Sequence, residues 1–521
     1  MSRQKLFLGF IAIGLIEVAL LLFISKNIPT YTSSDASAYV EAAHNFKIGK
    51  GLQVSPFGIN PIAQDLEPLR LWPPGYPLLI SLTSTFITDE KNAAILIPKL
   101  CFLLLPLTFF MVFRFFMRDT MAFACAAIIS LTWPILLFSM MALTEIPFLV
   151  ITLISFYLLF RSLDRETPYY SLAAGLCTAL AIALRYIGYN IFIGIFLGLT
   201  IALLIKTITY QKYIRTQAAY FLGLGLGYLP MYLRNIIVFH TVQPYNLPPG
   251  PTTFFGPTIK LSKELACMLL GIWPSHSIYL VASIFLLLAM AYYIKHSGIA
   301  KCCQGNPEKT TCVLILFSYL LVAFILFAFI GPRLLWSGDI EFRFIIPHYW
   351  IIAAFILSAI AFSCKALDGH LNIKQKFSIP ILLIIFFTAQ FYALNIWIER
   401  QKPALDLFVT LRQSRRTLDA IAHLPQNSYI ISNCGPYFRL LTGKSVRKLS
   451  CVSSNFSPQE LADLICPIRN LCVILVYMDG VVNILPHGWP SIDAKTLPDG
   501  YQHILSDGKI VVLYHNQQKN N

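Results

Sequence analysis

The stretch Leu6-Phe-Leu-Gly-Phe-Ile-Ala-Ile-Gly-Leu-Ile-Glu17-Val-Ala-Leu-Leu-Leu-Phe-Ile24 runs almost without polar interruption, and Tyr31-Thr-Ser-Ser-Asp35-Ala-Ser-Ala-Tyr39-Val-Glu41 follows shortly after it. The first run is long enough to cross about 30 Å of hydrocarbon as a helix. Its basic start, Arg3 and Lys5, resembles a signal peptide. The run is too long for one, however, and it ends in Ser25-Lys-Asn-Ile-Pro29 without a small-x-small cleavage site. It reads as an uncleaved first helix. The polar stretch with Asp35 then emerges on the far side of the membrane, close to the bilayer face.

Composition agrees with this opening. The chain has 521 residues, of which 56% are hydrophobic and only 12% charged. A soluble domain carries about 25% charge, so lipid solvates most of this chain. The net charge of +15 is explained by Lys and Arg in cytoplasmic loops. Nucleic-acid binding is not expected, because no basic stripe with interleaved aromatics lies on a soluble segment.

The expected spans are 6–25, 92–113, 119–138, 143–160, 169–188, 189–206, 217–237, 276–294, 312–330, 344–363 and 378–398, about eleven in all. The stretch 74–88 is apolar but short and proline-led, and reads as an interfacial helix. Arg114 and Arg118, Arg161 and Arg165, Lys206 to Arg215, Lys295 to Lys309, and Lys365 to Lys376 all fall on one side. The positive-inside rule makes that side cytoplasmic, together with the N-terminus. The long first loop 26–91, the loops 238–275 and 331–343, and everything after Glu399 then lie outside.

The expected fold is an all-α polytopic membrane domain over 1–400 with a small extracytoplasmic α/β domain over 401–521. In the tail, Ser428–Cys434 and Leu471–Tyr477 read as buried strands. Ser457–Ile465 reads as a capped helix with Pro458 at its first position. Tyr501–Leu505 and Lys509–Tyr514 flank Ser506-Asp-Gly508 and read as a hairpin. Cys434, Cys451, Cys466 and Cys472 permit two bridges in three pairings, or remain free buried thiols. Cys302, Cys303 and Cys312 lack the CxxC spacing or nearby His pair of a zinc site.

Several chemistries have no motif here. There is no GxxxxGK[ST] and no HExxH. Gly223, Gly225 and Gly227 lie inside a span, so Gly223-xxx-Gly227 reads as a close helix contact and not as a dinucleotide loop. The informative region is the first loop. Asp35 and Tyr39 share a helical face, although Ser34 or Asp35 can also simply cap that helix. The loop continues with Gly49-Lys-Gly51 and ends in Glu67-Pro-Leu-Arg70-Leu-Trp72-Pro-Pro-Gly-Tyr76-Pro77. Trp72 and Tyr76 suit the headgroup region. Arg70 can neutralise a lipid-linked phosphate or act as an ordinary interfacial arginine.

Taken together, Asp35…Tyr39, Gly49-x-Gly51 and Trp-Pro-Pro-Gly-Tyr-Pro resemble the C-type glycosyltransferases, in particular the bacterial branch of the protein O-mannosyltransferase and lipid A aminoarabinose transferase family. Leu143-Thr-Glu145-Ile-Pro, Leu184-Arg185-Tyr186, Leu233-Arg234-Asn235 and Glu341-Phe-Arg343-Phe-Ile-Ile-Pro347 extend the resemblance in order over residues 1–363. The chain departs from the family in having Asp35-Ala36 where many members have Asp-Glu. It also has Trp72 where the aminoarabinose transferases have Lys before Pro-Pro, so that donor and acceptor are not implied.

The resemblance implies an inverting transfer at the outer face of a bacterial inner membrane. The donor is a sugar on a polyprenyl phosphate, and the acceptor is a lipid, glycan or protein hydroxyl. It implies Asp35 as general base and Glu145 as a second acid. Arg343, Arg185, Arg234 and Arg70 are implied as candidates for the donor phosphate, and Tyr39, Trp72, Tyr76 and Glu341 as substrate-positioning residues. Each has a bland counterpart. Glu145 can be a dipole-favoured first-turn acid, and Arg343 can pair with Glu341 or Asp339. A monophosphate leaving group demands no metal and no cofactor, since arginine supplies the charge. Glu17, inside the first span, receives no role. The rival readings are a transporter or lipid flippase and a non-catalytic assembly factor. No internal repeat of the transporter kind is visible.

Overall fold

The computed structural model describes residues 3–24, 34–55, 66–87, 89–244, 264–265, 267–268, 306–327, 342–371, 384, 386–399, 415–424, 428–432, 446–448, 471–476, 501–506 and 510–515. The expected span 276–294, the expected helix 457–465, Asp339, Glu341, Cys302, Cys303, Cys434, Cys451 and Cys466 lie outside them. The chain forms two compact units. One is Met1–Asn27, Arg70–Tyr76 and Leu96–Trp397; the other is Ile28–Leu69, Pro77–Ile95 and Ile398–Asn521.

The helices are α1 (Arg3–Ile24), α2 (Ser34–Lys47), α3 (Gly75–Ser84), α4 (Glu90–Phe113), α5 (Asp119–Ser130), α6 (Trp133–Ser139), α7 (Glu145–Arg165), α8 (Pro168–Leu184), α9 (Tyr189–Leu204), α10 (Tyr210–Phe239), α11 (Pro307–Ile325) and α12 (Phe342–Leu371). A further helical stretch, α13, covers 386–399, and a short helix, α14, covers Arg415–Ala422 in the tail. Six helices among the described residues are long and apolar enough to cross a membrane: α1, α4, α7, the segment Tyr186–Leu204, α10 and α11. The protein is therefore a multi-pass membrane protein.

Two expected spans differ in form. The span expected over 119–138 is broken: α5 and α6 meet at a 59° bend. Pro134 in the first turn of α6 has no N–H to continue the α5 ladder. Side chains from other helices meet the break. The Thr132 hydroxyl bonds the Tyr349 hydroxyl, and the Trp133 backbone N–H donates to Gln390 Oε1 of α13 at 3.2 Å. The span expected over 169–188 stops early, because Arg185 is extended (φ −150°, ψ 131°) and a single 3₁₀ turn, Tyr186–Gly188, leads into α9.

The membrane unit is tied by an aromatic core. The Trp350 ring of α12 lies 5.9 Å from both Phe109 and Phe113 of α4 and 6.3 Å from Phe156 of α7. Phe156 in turn meets Tyr319 of α11 at 5.2 Å. Helices α8 and α10 approach closely because Gly175 faces the Tyr220 carbonyl and Gly223 faces the Leu172 carbonyl, where a side chain would collide with backbone. That contact is the use expected for Gly223.

In the other unit, α2 ends in Gly49-Lys-Gly51. Both glycines have φ +80°, a conformation that side-chain-bearing residues resist. The turn leads to a two-stranded antiparallel ribbon, β1 (Gln53–Val54) with β2 (Glu67–Pro68). Glu41 accepts from the Ser55 hydroxyl at 2.5 Å, Asn45 Nδ2 donates to the Gln53 carbonyl at 2.8 Å, and Lys47 Nζ lies 3.0 Å from Glu90. These bonds fix α2, which carries Asp35, against its own loop. The tail strands are β3 (Tyr429–Ser432), β4 (Val446–Lys448), β5 (Leu471–Val476), β6 (Tyr501–Ser506) and β7 (Ile510–His515). They form one mixed sheet, order β4-β3-β5-β7-β6, parallel in β4-β3-β5 and antiparallel in β5-β7-β6.

Candidate active site

One end of the membrane unit gathers charges where helices start and stop. Glu145 is the first residue of α7 and is fully buried. Arg185 follows the last residue of α8. Its Nη1 donates to Glu145 Oε1 at 2.5 Å and to the Thr144 hydroxyl at 3.0 Å. The two side chains are 13% and 1% exposed. The extended conformation of Arg185 ends its helix and frees the side chain to reach α7. Glu145 Oε2 is buried and has no hydrogen-bond partner among the described residues. A buried carboxylate oxygen left unpaired is costly, so this atom is suited to receive a hydroxyl.

The second residue of α12 is Arg343, and the third is Phe344. The Arg185 guanidinium lies 5.9 Å from the Phe344 ring centre and that of Arg343 lies 5.1 Å from it. One ring thus gathers two cations, each held by its negative π face. A second ring does the same. Phe239, the last residue of α10, has Arg70 at 5.5 Å and Arg234 at 5.1 Å. Arg234 also donates to Asn235 Oδ1 at 3.2 Å, and Asn235 Nδ2 donates to the Val242 carbonyl at 3.0 Å. Asn235 so ties this arginine to the turn that follows α10.

The Trp-Pro-Pro-Gly-Tyr turn joins the same unit. A side chain at Gly75 would run into the Ala183 carbonyl, two residues before Arg185. Tyr76 is fully buried, while Trp72 is half-buried and Arg70 exposed. In the other unit, Asp35 lies half-buried in the first turn of α2 and Tyr39, one turn on, is buried.

All four candidate arginines therefore fall on one of two phenylalanine rings. Sequence reasoning missed the rings themselves, Thr144, and His348. The His348 ring is buried, packs 4.7 Å from Tyr319 and 5.6 Å from Phe327, and lies within electrostatic reach of Arg185. Phe344 could have been found from its place beside Arg343. Phe239 carries no local signal.

Comparison with known proteins now bears on this arrangement. No protein-family model and no curated protein matches the sequence. Solved structures do. ArnT from Cupriavidus metallidurans bound to undecaprenyl phosphate superposes with a TM-score of 0.60 at 10% identity over 99% of each chain. The Archaeoglobus fulgidus oligosaccharyltransferase tethered to an acceptor peptide gives a TM-score of 0.52 at 11% identity, over 91% of this chain and 69% of that one. The same oligosaccharyltransferase with an inhibitory peptide and a dolichol phosphate gives 0.51 at 12% identity. The chain has the C-type glycosyltransferase fold. Within that C-type frame the two arginine-bearing rings and the buried Glu145–Arg185 pair stand at helix ends of one unit, and Asp35 stands on the helix that follows α1.

Proposed function

We propose that this chain is an inverting glycosyltransferase that moves a sugar from a polyprenyl-phosphate carrier to a hydroxyl acceptor at the extracytoplasmic face. The carrying observation is the sharing of Phe344 by Arg185 and Arg343, with Glu145 clamping the former. Polyprenyl phosphate leaves as a dianion attached to a lipid, so the enzyme must supply positive charge at membrane depth. Arginine is suited to this, since it stays charged and presents a fork of donors. Charges at such depth are costly unless partnered, and the rings and Glu145 offset that cost.

In this mechanism Asp35 takes the proton from the acceptor hydroxyl. The oxygen forms a bond to the anomeric carbon, and the bond from that carbon to the phosphate oxygen breaks with its electron pair leaving on the phosphate. Attack from the face opposite the phosphate inverts the carbon. Arg343 and Arg185 receive the developing charge, and Arg70 and Arg234 hold the phosphate of the incoming donor. Glu145 Oε2 receives a hydroxyl of the sugar or acceptor, while Tyr39, Trp72 and Tyr76 position the substrate. No step calls for a metal.

The test is direct. Full-length protein, purified in detergent, is incubated with a panel of polyprenyl-phosphate sugars and candidate acceptors, and release of free polyprenyl phosphate is followed. Release of the carrier with an inverted anomeric product supports the reading. Binding of the panel without any release under all acceptor conditions would favour a carrier-lipid transporter instead.

A further inference from the structure

At the opposite end of the same membrane unit lies a cavity of about 310 Å³. Its walls come from the end of α4, the last turns of α7 and the first turn of α11. Three cations line it, Arg114, Arg161 and Lys309, together with two carboxylates, Asp164 and Glu308. Their three helices come together here from distant parts of the sequence. Aromatic rings form the apolar side: Phe115 packs 6.0 Å from Tyr157 and 5.5 Å from Phe160. Arg161 lies 6.0 Å from the Tyr157 ring and 3.3 Å from Asp164, and its Nε is buried without a hydrogen-bond partner among the described residues.

The remaining charges are accounted for. Arg114 pairs with Asp119, which does not line the cavity, at 3.1 Å. Glu308 is drawn to Lys212, 3.5 Å away, and Lys212 is also 3.1 Å from Glu166. Lys309 has no carboxylate partner among the described residues. The first turn of α11 adds the positive end of its dipole. Among the described residues, the Arg161 donor has no hydrogen-bond partner and the Lys309 ammonium no ion-pair partner. The cavity thus combines these two groups with a net charge of one positive unit, a helix N-terminus and an apolar wall.

We propose that this cavity binds a phosphate-bearing anion, the headgroup of an anionic phospholipid from the leaflet at that face. The ligand class follows from the chemistry. The cations and the dipole select an anion, the volume is at the small end of the roughly 300–1,000 Å³ range for small-ligand sites, and the aromatic wall suits the glycerol backbone and the start of the acyl chains. Basic pockets between transmembrane helices on the positive-inside face commonly take such headgroups. The proposal is independent of the transferase reading, which uses the other end of the bundle.

Full-length protein in neutral detergent is titrated with short-chain phosphatidylglycerol, short-chain phosphatidylcholine and glycerol phosphate, and bound ligand is counted by native mass spectrometry. Phosphatidylglycerol is expected to bind about tenfold more tightly than phosphatidylcholine. Lys309→Gln and Arg161→Gln should each lose about that preference, with phosphatidylcholine binding unchanged as the sign of an intact fold. Arg118→Gln removes one charge from the same face, from an exposed residue outside the cavity, and should change nothing. Equal affinity for the two lipids, or equal loss in Arg118→Gln, overturns the site. Glycerol phosphate binding as tightly as phosphatidylglycerol overturns the lipid assignment in favour of a soluble phosphate. Should Arg161→Gln fail to fold, Lys309→Gln alone decides.

Discussion

Glu145→Gln separates what the buried pair does for the fold from what it does for the substrate. The substitution keeps the shape and leaves an oxygen for Arg185, but removes the charge. Arg185 Nη1 lies 2.5 Å from Glu145 Oε1. With the charge centres about 4 Å apart and an effective dielectric of about 20, the attraction is about 4 kcal/mol. Desolvation of both groups opposes it, so the expected net coupling is about 2–3 kcal/mol. Glu145→Gln alone leaves a buried guanidinium facing neutral partners and should cost about 3–5 kcal/mol. Glu145→Gln with Arg185→Gln should cost clearly less than the sum of the two single changes. Equilibrium unfolding of the four proteins in mixed detergent measures the cycle. Strict additivity, with coupling under about 0.5 kcal/mol, would refute the reasoning. On the folded fraction, Glu145→Gln should still bind donor, because the cation that meets the phosphate is retained, and turnover should fall. A loss of donor affinity instead would place Glu145 on the donor side.

Asp35→Asn keeps the size of the side chain and removes its basicity, so transfer is expected to fall by about 100-fold or more with normal insertion; near wild-type turnover would remove Asp35 from the mechanism. Arg343→Lys keeps the charge and loses the fork, so donor binding should weaken at unchanged thermal stability, whereas lost stability with intact affinity would assign Arg343 to the fold. Gly75→Val forces a side chain against the Ala183 carbonyl and should cost about 1–3 kcal/mol, read by unfolding, with donor KM rising because the end of α8 carries Arg185. A reporter fused after Gln401 should read extracytoplasmic and one after Arg165 cytoplasmic, and the reverse result would invert the assignment of the two faces.

The helices were legible because lipid imposes a length and an apolar composition that few other environments do. The span edge at Phe113 needed nothing more, and the expected edges at 92 and 206 fall two residues from the observed Glu90 and Leu204. The break between α5 and α6 was not legible. Leu131-Thr132-Trp133-Pro134 reads as a continuous span until one knows that Tyr349 and Gln390 stand ready to take up its polar groups, and those partners come from the far end of the chain. Four of the five tail strands were found from short apolar runs; β4 (Val446–Lys448) and the strand order were not, since parallel pairing depends on contacts between segments that carry no mutual signal. At the candidate site, the charged residues declared themselves because charge inside an apolar chain is conspicuous. The rings that organise them did not. Phe239 and Phe344 are two among 39 phenylalanines, and only their neighbours in space mark them out.

The broken span also bears on how the protein is made. The backbone N–H of Trp133 is satisfied by Gln390, 257 residues further along the chain. At about 5–20 residues per second, the ribosome delivers that acceptor roughly ten to fifty seconds after α6 has left it. Until then the α5–α6 corner is made without that acceptor. Helix α13 therefore acts as a latch on an early span, and a nascent chain halted before Gln390 would hold that span without it.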